Sequence, residues 1–310
     1  MSYEGKMRQE FEMPSNEEIE QALLISLFNH NGTIKEFSTG EEIVNEIAND
    51  FHLNENQRTV VLERFYNKEN RIVKSPLWHR LLYRAANSLA NKKLVSNPST
   101  TYTLTNKKEW MLTESGYDIA LNLLHIPKEQ KEVLPVKSYE VQKVVNKLIE
   151  APRQINYDPI EESKISITVT KEISIRKRGY RQAVIEAYDF KCAVCSLKIN
   201  SPKRTIWEVE AAHIVPHSSK GKDDILNGLS LCRLHHWAFD VGWFSLYDDY
   251  TITVSPEAEN LRDEFGKLGN FEFLKSLTQS VFKISLPKHE NIYPHLNSIK
   301  WHRENIFNKR

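Results

Sequence analysis

The chain has few cysteines, no long apolar run and almost no net charge. Three cysteines occur in 310 residues, all between Cys192 and Cys232. An odd, clustered set argues against a disulfide framework and for a local thiol chemistry. No apolar stretch approaches the roughly 18 residues that span a bilayer, so no membrane partner is expected. The N-terminal "MSYEGKMRQEFEMPSNEE" is polar and acidic, unlike a signal or transit peptide, and the chain reads as cytoplasmic. Net charge is +1, so no global basic field marks a polyanion partner. Internal repeats and low-complexity tracts are also lacking.

What is present is enough to fold. Forty per cent hydrophobic and 27% charged residues fit a globular chain, and 310 residues suggest two or three domains. Residues 1–14 read as a flexible arm. Ser15 with Glu18 forms a capping box before "EIEQALLISLF", and Thr39 with Glu42 forms another before "EEIVNEIANDF". A third helix is expected from Asn54 through "QRTVVLERFY". A fourth has Ser75 as cap and Pro76 at its first position, with Leu77, Leu81, Leu82, Ala85 and Leu89 at helical spacing. Then come a strand "LV", a polar turn "SNPSTT", an alternating strand "YTLT", and a helix capped by Thr113.

Helices followed by a two-stranded turn make a winged helix-turn-helix, and "LYRAANSLANKKLV…YTLTNKKEWMLTESGYDIA" resembles the N-terminal winged-helix domain of Mrr-type restriction enzymes. The likeness spans roughly residues 14–125 and implies a DNA-reading domain over 15–125, with Arg80 and Arg84 as DNA contacts. A helical bundle used for dimerisation is the alternative. Residues 126–170 read as a linker containing the helix "EVQKVVNKLIEA", and "SKISITVTKEISI" alternates like a strand.

Charge is locally uneven. From Lys171 to Lys222 there are 11 Lys/Arg against 5 Asp/Glu, a local net of +6. Arg176, Lys177 and Arg178, with Lys220 and Lys222, are the candidate phosphate contacts. A short helix "RQAVIEAYDF" leads into "CAVC". Cys192 and Cys195 share one spacing; Cys232 and His235 repeat it. Together they form a Cys3His set suited to a structural zinc. Adjacent residues on a helix point about 100° apart, so His236 is turned away from that zinc.

Between the two ligand pairs, "AHI", "NG" and "LHH" stand in an order that resembles the HNH nucleases of ββα-metal architecture, most like the McrA-like branch, in which the helix ends in "FD-x-G". The likeness covers residues 176 to about 255. It implies an α+β chain in which a zinc-stabilised HNH nuclease domain (171–290, followed by a 291–310 extension) cuts double-stranded DNA. His213, at a strand end, suits a general base, because neutral imidazole titrates near pH 7. The resemblance assigns Asn227 the holding of the base's loop, although some members use that residue as a metal ligand. It assigns His236 a catalytic Mg2+ or Mn2+. Many members carry Asp directly before the base; here Ala212 stands there. Asp240, four residues after His236, and Glu210 are candidate substitutes. His217 reads as an exposed loop histidine. Trp207, Trp237 and Trp243 read as core around the zinc.

The reading is a modification-dependent or defence-associated DNA endonuclease, with a homodimer or two binding events needed to cut both strands. A winged-helix regulator with an inactive HNH remnant, and an HNH nuclease acting on RNA or structured nucleic acid, are the alternatives.

Overall fold

The Ser15 hydroxyl accepts the Glu18 amide, and the Glu18 carboxylate accepts the Ser15 amide, so the capping box forms as expected and opens the helix Asn16–Asn29. The computed structural model that shows this describes residues 3–37, 41–66, 71–161, 170–202, 206–256 and 283–308. The chain divides into two compact units at Gln142/Lys143. That boundary lies inside the helix expected over "EVQKVVNKLIEA", observed over Tyr139–Ile149 and labelled α8 in chain order.

The first unit runs α1 (Tyr3–Glu10), α2 (Asn16–Asn29), β1 (Thr33–Lys35), α3 (Glu41–Asp50), α4 (Glu55–Thr59), β2 (Val61–Tyr66), β3 (Arg71–Pro76), α5 (Leu77–Asn91), β4 (Val95–Ser96), α6 (Pro98–Thr105), β5 (Glu109–Leu112) and α7 (Glu114–Leu123). β1, β5 and β4 form an antiparallel sheet in that order, with Ile34 opposite Trp110 and Val95 opposite Leu112. All five apolar positions expected on α5 are buried, as the helical period requires. Trp78, beside them, donates its indole N–H to the Val44 carbonyl and so joins α5 to α3.

Four local expectations fail. The 1–14 arm is helical from Tyr3, and its Met7 enters the core. The Asn54 helix stops after one turn, because the β-branched Thr59-Val60-Val61 run leads into β2, which pairs with β3 from Val61↔Pro76 onward. Ser75 and Pro76 therefore end a strand, and no side chain caps α5. "YTLT" is helical: the Asn97 side chain accepts the Thr100 amide, Pro98 presets the first turn, and Asn106 closes it at φ 57°. The strand falls instead on Glu109–Leu112. Thr113 caps α7 as expected. Thr39 lies outside the described residues.

The second unit contains α9 (Thr170–Ala187), β6 (Val209–His213), β7 (Gly228–Cys232), α10 (Arg233–Asp240), β8 (Phe244–Leu246), β9 (Ile252–Val254) and α11 (Leu296–His302). Residues 170–175, expected as strand, belong to α9; the rest of that expected strand lies outside the described residues. β6 and β7 pair antiparallel from Val209↔Cys232 to His213↔Gly228. α9 packs against this hairpin, and α10 follows directly from β7. Gly242 ends α10 at φ +76°, a conformation that costs a side-chain-bearing residue about 1 kcal/mol or more. The segment after 291 joins the core through Ile299. His302 on α11 stacks on Phe239 at 3.6 Å, accepts the Ser245 hydroxyl at Nδ1 and donates from Nε2 to the Phe239 carbonyl. The C-terminal end of α10 is thereby held.

Candidate nuclease centre

Cys192 and Cys195 sit on the turn after α9, and the Ala193 amide binds the Ser230 carbonyl, anchoring that turn to β7. Cys232 is the N-cap of α10 and His235 lies in its first turn. The four side chains converge: Cys195 Sγ is 3.9 Å from Cys232 Sγ, and His235 Nδ1 is 3.6 Å from Cys192 Sγ and 3.0 Å from Cys232 Sγ. A tetrahedral zinc with Zn–S near 2.3 Å places its sulfurs about 3.8 Å apart, so the set fits. The electrostatics agree. Hydrogen bonds from the Cys192 and Cys232 sulfurs hold the Cys195 thiol far below its ordinary value, while those of Cys192 and Cys195 push Cys232 far above it. Three crowded thiols cannot all ionise without a cation, and one cation removes the conflict. This is a candidate Cys3His metal site.

His236, the next residue, faces elsewhere. Its Nδ1 lies 3.0 Å from Glu210 Oε2 and its Nε2 lies 3.5 Å from Asp240 Oδ2. Both carboxylates that the sequence offered as substitutes for the missing Asp thus reach this one ring. Burial disfavours the imidazolium, but the Glu210 hydrogen bond and the Asp240 charge outweigh it and hold His236 above its ordinary value. Ala212 itself is 0% exposed and packs in the core.

His213 ends β6, with one ring face stacked on Tyr180 at 4.3 Å. The loop after it is closed by Asn227, which is fully buried. The Asn227 Oδ1 accepts the Val215 amide at 2.8 Å, and its Nδ2 donates to the Val215 and Lys222 carbonyls, both at 3.1 Å. Both Nδ2 hydrogens and one Oδ1 lone pair are spent on backbone, which suits the loop-holding role. Gly221 completes the closure: a Cβ there would lie 1.7 Å from the Val215 carbonyl oxygen.

One residue escaped sequence reasoning. Asp223, almost wholly buried, brings Oδ1 to 3.0 Å from His213 Nε2 and 2.9 Å from His217 Nε2. "KDD" in a lysine-rich loop carries no spacing signal for this. Its neighbour Asp224 turns the other way and accepts the Leu226 amide.

The basic candidates separate. Lys177 and Lys220 are exposed. Arg178 is buried at 5% exposure and is withdrawn as a phosphate contact. Arg176 pairs with Asp223 and Glu161, and Lys222 donates to the Asp158 carbonyl. In the first unit, Arg80 and Arg84 both pair with Glu4 of α1, a carboxylate shielded from solvent. Trp237 is 52% exposed and is not core, because its position on α10 faces away from β6 and β7. Trp207 stacks on Phe190.

Residues 192–247 match the family model for HNH endonuclease. The match marks an HNH endonuclease domain in this part of the chain. No curated protein matches the chain. Among solved structures, one chain described as "Modification dependent TagI restriction endonuclease" is 21% identical, with a TM-score of 0.29; the alignment covers 41% of this chain and 37% of that one. The chain therefore spans little more than a third of that protein's length. Among the described residues, no helix is long and apolar enough to cross a membrane.

Proposed function

We propose that the chain is a metal-dependent DNA endonuclease of the modification-dependent or defence-associated kind. The observation that carries the reading is the division of labour within α10: His235 turns to the sulfurs while His236 turns to Glu210 and Asp240. Structural zinc would occupy Cys192, Cys195, Cys232 and His235. His236 would hold a catalytic Mg2+ or Mn2+ through one ring nitrogen, with the carboxylate on that edge as its companion, Glu210 at Nδ1 or Asp240 at Nε2; the ion would neutralise phosphate charge and stabilise the leaving oxygen when bound. His213 takes a proton from the attacking water, and Asn227 keeps its loop in place. Lys177 and Lys220 remain as phosphate contacts. Cysteines kept reduced, as zinc-binding thiolates must be, suit a reducing compartment, so the cytoplasm is the proposed location.

A winged-helix reading of the first unit is supported by its sheet order, with β5 between β1 and β4, and by α5 preceding β4. That unit would read the DNA, possession of a modified base included, while the HNH domain cuts beside the site. One HNH centre cuts one strand, so a double-strand break takes a homodimer or two binding events.

The test is cleavage, with Mg2+ or Mn2+, of one plasmid prepared from methylating and non-methylating hosts, with His236→Ala as control. Cutting of the modified plasmid alone, lost in the variant, supports the full reading. Equal cutting of both keeps the nuclease and removes the modified-base reader. Binding without cutting at any metal concentration favours the regulator with an inactive remnant, the reading that Ala212 motivates.

A further inference from the structure

We propose that Asp223 is the positioning residue of the general base, fixing the tautomer in which His213 Nδ1 is open to water; this rests on the nuclease reading of His213. The geometry is specific. The Asp223 side chain is 2% exposed, and each of its oxygens is engaged. Oδ1 meets the Nε2 atoms of His213 and His217, and Oδ2 accepts from Arg176 Nε at 3.1 Å. Burial pushes this carboxyl up, but the His213 hydrogen bond and the His217 and Arg176 charges outweigh it, so the group is ionised at neutral pH.

An ionised carboxylate only accepts hydrogen bonds. Neutral His213 must then place its single ring proton on Nε2, facing Asp223. The lone pair is left on Nδ1, the one ring nitrogen that can accept a proton from water. The step balances: a water O–H bond breaks, its proton goes to Nδ1, and the oxygen bonds to phosphorus as the bond to the 3′ oxygen breaks. Tyr180, stacked at 4.3 Å, blocks rotation of the ring on one face. The charged groups around the ring are Asp223, His217 and, behind Asp223, Arg176 with its second partner Glu161. Asp223 thus acts through His213 and touches no reacting atom.

The same contacts would also serve as a plain clasp between α9 and the loop, so the test must separate the two roles. Single-turnover nicking of supercoiled plasmid would be followed across pH with the full-length wild type, Asp223→Asn, Asp223→Glu and His213→Ala, with DNA affinity measured beside it. Asp223→Asn is expected to lower the rate at neutral pH about 10- to 100-fold with DNA affinity unchanged. The acid limb should move to lower pH, because the charge that favours the imidazolium is gone, and Asp223→Glu should recover part of the rate. A rate loss with an unmoved acid limb and weakened folding would make Asp223 a clasp and overturn the proposal; an unchanged rate would also overturn it. Nitrogen-15 NMR of the histidine rings gives a readout independent of activity. The wild type should show His213 protonated at Nε2, and Asp223→Asn should lose that preference; protonation at Nδ1 in the wild type refutes the assignment. If the wild type cuts no nucleic acid, the nuclease reading fails, and the NMR result alone decides whether Asp223 sets the tautomer.

Discussion

His235 and His236 are consecutive in the chain and face different centres. His235 is 2% exposed with Nδ1 among the cysteine sulfurs, while His236 Nδ1 meets Glu210 on β6. The helical rotation between neighbours, about 100°, makes one short helix serve two sites. It also couples them: whatever holds His235 fixes the direction of His236.

Removing the metal should therefore do more than empty a site. Zinc bound to such sets contributes roughly 10–16 kcal/mol, as much as the whole stability of a typical domain. Cys232→Ser, or a strong chelator, is expected to unfold the 192–247 region. Elemental analysis should find one zinc per wild-type chain and none in the variant. Hydrogen exchange should show loss of protection in β7 and α10. Retained protection without metal would refute the structural role.

Asn227 offers a sharper stability test. Asn227→Ala leaves the Val215 amide and the Val215 and Lys222 carbonyls without their partner. The expected loss is about 2–4 kcal/mol, read from urea unfolding. Asn227→Asp should cost at least as much, because it cannot donate and sets a carboxylate against two carbonyls.

Asp223 should make stability depend on pH in the acid range. Its folded-state value lies below the ordinary 3.8, so its ionic contacts contribute fully above that pH. The contribution disappears as pH falls through the lowered value. The stability gap between wild type and Asp223→Asn should close as pH falls from about 3.8 through the lowered value. Denaturant titrations at each pH check this; a gap that widens as pH falls below 3.8 would contradict it.

Glu4 neutralises two arginines on α5, the helix proposed to read DNA. Glu4→Ala is expected to tighten DNA binding and to steepen its salt dependence, by up to about 0.9 in the log–log slope for each arginine that gains a phosphate. Fluorescence anisotropy at several salt concentrations measures the slope. An unchanged slope would show that this face of α5 meets no phosphate.

Much of the candidate site was legible because its signals are local. The Ser15–Glu18 and Thr113 caps, the apolar spacing of α5, and the repeated two-residue gap between ligands each lie within a few residues of chain. Misreadings arose where two local signals competed. Val60 and Val61 after the Asn54 helix pulled the chain into a strand. Asn97-Pro98 outweighed the strand preference of Tyr102 and its neighbouring threonines, since a satisfied cap and a preset first turn act at once, whereas strand preference depends on a partner.

By itself, then, the sequence determined the residue types that chemistry needs and the helical phase that separates His235 from His236. The tertiary structure decided who meets whom across the chain. Glu210 reaches His236 only because β6 pairs with β7 and α10 turns back over the hairpin. Asp223 reaches His213 only because Asn227 closes the intervening loop. Arg178 is buried and Trp237 exposed for the same kind of reason. Pairings between distant segments depend on packing and loop closure, which no short stretch of sequence encodes.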